Sequence, residues 1–138
     1  MNYSRIVLAA LGATVAYFVC GFLAFGLAPQ LSREFRKYPT IYRSPEDMKN
    51  VMPPGMVGMF VAILSPAAIY AMAYRGGSGL AEGARFGALI GVFAIGAFVL
   101  HNYVNLNIGL KLTIQQAVAY FIEWTVVGIA FGLIYKPG

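Results

Sequence analysis

Apolar residues along this chain come in four long runs separated by short polar stretches, where a soluble amphipathic helix would show them at three- and four-residue steps. The runs predict spans at about residues 6–27 (IVLAALGATVAYFVCGFLAFGL), 54–74 (PGMVGMFVAILSPAAIYAMAY), 84–104 and 113–135. Each supplies the ~20 residues that carry a helix across a hydrocarbon core of roughly 30 Å. Between them lie a charged loop from Ala28 to Pro53, the small-residue turn RGGSGLAEG and the linker NLNIGLKL. The pattern predicts an all-α integral membrane four-helix bundle, a single transmembrane domain over residues 1–138.

Local signals refine these elements. Ser44-Pro45-Glu46-Asp47 reads as a helix start: a hydroxyl cap, proline at the first helical position and acids facing the dipole. Pro53 and Pro54 are expected to end that helix early, leaving a short interfacial helix in the first loop with Met48, Val51 and Met52 on one face. Pro66 is expected to kink the second span by freeing the Ala62 carbonyl, with Tyr70, Tyr74 and Arg75 as anchors at that span's far end. Small residues at Gly12, Ala16, Cys20, Ala24 and Ala28 give the first span a flat side. Gly83, Gly87 and Gly91 form a doubled G-x-x-x-G, and Gly128 and Gly132 another. These faces predict close helix contacts, within the chain or between chains.

Composition changes the solvent of the argument. With 59% hydrophobic residues, 11% charged residues and a mean hydropathy of +0.70, the chain is too apolar for a soluble domain of its length. The net charge of +5 is scattered over loops and span ends, which fits anchoring to lipid headgroups and excludes a nucleic-acid surface. The expected partners are therefore membrane lipid and either further copies of the chain or a larger membrane complex. Cys20 is alone, so no internal disulfide is possible. Six Lys/Arg follow spans one and three against four elsewhere, which leans toward termini outside but leaves either orientation open.

Candidate chemistry gathers in HNYVNLNIGLKLTIQQAVAYFIE. Glu123 falls near the middle of the fourth span, where a carboxyl must face the bundle and be neutral or paired. Counting from span centres brings Tyr17, Ser65 and the Ala62 carbonyl to a similar depth. Gln116, Tyr120 and Glu123 share one helix face, a polar line from the loop side to mid-membrane. The same line serves equally as interhelical glue. His101 lies nearer the membrane edge and reads as an interfacial histidine or as a headgroup, substrate or proton-relay contact. Trp124 is too central for an aromatic belt, so it lines a cavity, packs on a neighbouring subunit or faces lipid. No metal-ligand spacing, phosphate loop, dinucleotide fingerprint or nucleophile elbow occurs, so neither metal nor cofactor is expected, and an enzymatic role is the weaker expectation.

The order of features resembles small bacterial four-span membrane proteins grouped under a domain-of-unknown-function label. The residues that carry the likeness are APQLSREF leaving the first span, SPEDMKNVMPPGM before the second, GALIGVF in the third, HNYVNLNIGLKL after it and GIAFGLIY at the close. The resemblance implies a multi-pass protein of the bacterial cell (inner) membrane and brings no activity with it. Three functions stay open on the residues alone. Glu123 suggests proton-linked binding or transport of a small molecule or ion, the glycine faces suggest an accessory or scaffold subunit, and Glu123 or His101 as acid or base would suit an enzyme acting on lipid or quinone.

Overall fold

The computed structural model describes residues 1–138 and contains helices and turns without strands. Helix α1 is Tyr3–Leu27, α2 is Pro29–Arg36, α3 is Pro45–Ala73, α4 is Gly79–Asn105 and α5 is Leu110–Ile134. All but α2 are long and apolar enough to cross a membrane. The chain is thus an all-α four-helix bundle with one short helix in its first loop.

That short helix is not where the prolines place it. Residues after Ser44 begin α3 itself, a continuous 29-residue helix that runs through Pro53, Pro54 and Pro66. The start is read correctly: the Ser44 hydroxyl accepts the Asp47 amide at 3.2 Å and donates to the Asp47 carboxylate at 2.9 Å. The stop at Pro53 fails for a physical reason. Two consecutive prolines withdraw the amides that would reach the Lys49 and Asn50 carbonyls, and both of those residues are exposed near the helix start, where water can satisfy the freed oxygens. The short helix is instead α2, which Pro29 opens at its first position. It buries Leu31 and Glu34 and turns Arg33 and Arg36 outward.

Helix α5 is the hub. It makes the largest contact with α4 and the next largest with α1, while α3 packs chiefly on α1. The α4–α5 contact is a glycine seam. A Cβ added at Gly83 would strike the Gly128 backbone, and one at Gly87 would strike the Trp124 carbonyl and lie 2.8 Å from the Thr125 Cα. One at Gly132 would run into the Gly79 backbone. The partner of the Gly83/Gly87/Gly91 face is therefore the Gly128/Gly132 face of the same molecule.

Past that seam, α4 contains a π-helical turn at Ile95–Leu100. Buried positions on α4 follow the steps Gly83, Gly87, Gly91, Ala94 and then Val99. The five-residue jump is what a π turn accommodates: the extra residue keeps Val99 facing inward where a regular helix would bring Phe98 round. Phe98 is exposed.

The apolar core lies toward the end of the bundle that carries the termini. Ala9, Ala10 and Ala13 of α1, Ile63 and Ala67 of α3 and Val127 and Phe131 of α5 pack there. Tyr70 belongs to this core and not to a membrane-edge belt. It is 3% exposed, with its ring within 5.3–6.2 Å of the rings of Phe86, Phe131, Tyr74 and Tyr135. Four aromatic neighbours outweigh the interfacial preference of one hydroxyl. The opposite, N-terminal half of α3 has no such company: Pro53 to Gly58 are exposed on every side.

Candidate functional site

Glu123 sits one residue past the middle of α5, and its side chain turns into the bundle, leaving the residue 9% exposed. The helix that receives it is α1. Gly21 leaves room there: a Cβ at that position would sit 3.5 Å from the Glu123 Oε1. The Tyr17 hydroxyl faces the carboxyl, and Cys20 and Tyr120 lie within its electrostatic reach. Tyr17, Cys20 and Gly21 are three- and four-residue neighbours on one face of α1, just as Tyr120, Glu123 and Trp124 are on α5. The two faces oppose each other, and Tyr17 and Trp124 bring their ring centroids to 5.9 Å.

No cation answers the carboxyl. Both ion pairs in the molecule use Glu34. Ionised Glu123 would therefore be an uncompensated charge in a low-dielectric interior, a state far costlier than the neutral acid. Trp124, 8% exposed, holds its indole N–H buried without an acceptor beside this cluster, and the side-chain oxygens of Gln115 and Gln116 are likewise unmatched. Each such group forgoes about 1–3 kcal/mol until something bonds to it.

From Glu123 the polar line continues toward the first loop. Tyr120 lies one turn away and is partly buried, and Gln116 lies one turn further. The Gln116 amide donates to the Tyr42 hydroxyl at 3.2 Å, so the line ends on a loop residue. Two more ties fasten that loop over the start of α5. The Gly109 amide donates to the Tyr38 hydroxyl at 2.8 Å, and Glu34 bridges Lys37 at 2.7 Å and Lys111 at 2.8 Å. The Lys111 ammonium, joined by that of Lys37, holds the Glu34 carboxyl below the usual carboxylate range.

Of the residues singled out from the sequence, Glu123, Tyr17, Tyr120 and Gln116 come together. Ser65 does not. It is exposed on the outer side of α3, as is Ala62, because α3 meets α1 through Ile63, Pro66 and Ala67 instead. Depth alone placed Ser65 in the cluster, whereas helix rotation decides it. His101 is exposed at the end of the π turn, with its backbone carbonyl accepting from Asn105 at 3.0 Å. Cys20 and Tyr42 join the site without having been singled out for it. Cys20 had a visible signal, since it follows Tyr17 by three residues, but a small-residue stripe explained it already. Tyr42 had none, because its contact bridges 74 residues of chain.

No family model matches this chain, no curated protein matches it, and no solved structure matches it.

Proposed function

We propose that the protein binds or transports a small molecule or ion across a membrane, with Glu123 as the intramembrane group that takes up and releases a proton. The observation that carries this reading is a buried carboxyl that has no cation and faces a tyrosine and a thiol, at the foot of a polar line running to the loop through Tyr120, Gln116 and Tyr42. A carboxyl kept solely as glue would be expected to have all its lone pairs matched by fixed donors. Here the neighbouring Trp124 indole N–H has no acceptor, and further along the line the side-chain oxygens of Gln115 and Gln116 have no donor, positions that a ligand or water could match. The membrane is inferred to be the bacterial cell membrane, in keeping with the family style of the sequence.

The test uses protein reconstituted in liposomes with an entrapped pH dye and an imposed proton gradient. Wild type should dissipate the gradient, and Glu123→Gln, which keeps the shape and removes the proton site, should not. Tyr17→Phe should slow dissipation by a few-fold to about tenfold, the worth of one hydrogen bond to the neutral carboxyl. Identical traces for wild type and Glu123→Gln would remove the proposal.

A second reading, an accessory or scaffold subunit, has one observation in its favour. Pro53 to Gly58 of α3 are exposed on all sides, and that is a surface on which a second copy or another membrane protein could pack. The glycine faces that first suggested it are taken up between α4 and α5. Native mass spectrometry from mild detergent distinguishes the readings: a persistent oligomer or copurifying subunit supports this one, and a monomer that still dissipates the gradient removes it.

A further inference from the structure

The geometry points to a second site, separate from Glu123: a groove of about 750 Å³ between the end of α1, α2 and the start of α3 that holds the phosphate headgroup of an anionic phospholipid. Its position comes first. Phe25 contributes from the last turn of α1 and Met48 from the first turn of α3, so the groove opens where those spans leave the hydrocarbon and the phosphates of a bilayer lie.

Its polarity is divided in the way an amphiphile requires. Phe25, Phe35 and Met48 make an apolar side, with the Phe25 and Phe35 rings 5.7 Å apart, and Phe25 and Met48 both remain exposed to the surroundings. Arg36, Arg43 and the Thr40 hydroxyl make the polar side. Neither guanidinium is paired, since every ion pair in the molecule goes to Glu34. The one carboxylate in the groove, Asp47, is already turned to the Ser44 hydroxyl at 2.9 Å. Asp47 keeps its charge on accepting that bond, so the lining sets two guanidinium forks against one carboxylate and carries a surplus positive charge. Phosphate diester oxygens suit that fork better than any other membrane component does.

A free phosphate would use the arginines and leave the aromatic side idle. A zwitterionic lipid would bring its own cation up against them. The lipid acyl chain continues instead along the exposed apolar flank of α1 at Phe22 and Leu23.

The experiment is lipid retention by the full chain, read by native mass spectrometry after equilibration in mixed micelles with equal amounts of phosphatidylglycerol and phosphatidylcholine. Phosphatidylglycerol should be retained in preference, and Arg36→Ala with Arg43→Ala should lower that preference by about tenfold or more, as the loss of charge-assisted bonds implies. Both side chains are exposed and unbonded, so the fold should survive, with helicity by circular dichroism as the check. Should the alanine pair fail to fold, Arg36→Lys with Arg43→Lys keeps the charge while losing the fork, and should reduce the preference partway. Arg75→Ala with Arg85→Ala removes equal charge at the other end of the bundle and should leave the preference intact. Equal retention of the two lipids overturns the proposal, as does an equal fall in the Arg75/Arg85 pair, which would mean unspecific attraction. Displacement of the retained lipid by millimolar inorganic phosphate overturns it too, by making the groove a free-phosphate site. None of these outcomes bears on proton flux through Glu123.

Discussion

Glu34 and Glu123 are both buried acids, and their surroundings give them opposite characters. Glu34, its side chain 6% exposed, is bracketed by two ammonium groups at the bundle's edge. Its carboxyl is held below the usual carboxylate range by Lys111 and then Lys37. A folded-state value below the unfolded one means the bridge stabilises the fold above the unfolded value and stops doing so as pH falls through the folded one. The first loop should therefore loosen from α5 only in acid, below the ordinary carboxylate value of 4.5. The protection of residues 28–44 in hydrogen exchange, each rate taken relative to its intrinsic rate at the same pH, should fall on acidification in wild type, and Glu34→Gln should show the lower protection already at neutral pH. A loop whose protection is unchanged from neutral to strongly acid pH would contradict this. Glu123, in contrast, was legible as an inward-facing acid from its position in an apolar run. The residues that face it were only partly legible, because Tyr17 and Ser65 share its depth and only the rotation of each helix separates them.

Helices themselves were legible to within a few residues, since runs of apolar residues fix a span whatever its neighbours. Three elements escaped, the first being α2, eight residues inside what reads as a charged loop. The passage of α3 through Pro53 was missed because a proline pair reads as a stop, whereas near the exposed start of the helix water can take up the freed carbonyls; Pro66 is passed as well, inside the bundle. The π turn of α4 leaves no mark in hydrophobic periodicity, because one added residue mimics ordinary irregularity. Glycine spacing, on the other hand, announced the α4–α5 seam, and there the energetic expectation is sharp. Gly87→Ala drives a methyl into the Trp124 and Thr125 backbone and should cost about 1–3 kcal/mol, the range for overpacking a close contact. Gly58→Ala lies on a helix with nothing within 4 Å and should be neutral or stabilising by about 0.5–1 kcal/mol, the helix preference of alanine. Thermal unfolding in detergent measures both. Similar shifts for the two variants would mean the seam is looser than described.

For the molecule as a whole, the arrangement puts every long-range polar tie on the final helix. Tyr38 meets Gly109 just before α5, Lys111 and Gln116 hold the loop, and Glu123 reaches α1. This centrality was not legible, since nothing in a span's own sequence says how many others it touches. A chain cut into residues 1–109 and 110–138 should consequently give an N-terminal piece in which α4 does not pack, and full protease resistance should return only when both pieces are made together. Protease resistance of the N-terminal piece by itself would argue against the hub. During synthesis the same geometry sets an order of events. The ribosome delivers α1, α3 and α4 first; α3 can pack on α1, but α4 waits for the helix that supplies its main contact. A product that stops before residue 110 thus leaves Tyr42 without its Gln116 partner and Glu34 bridged by Lys37 alone.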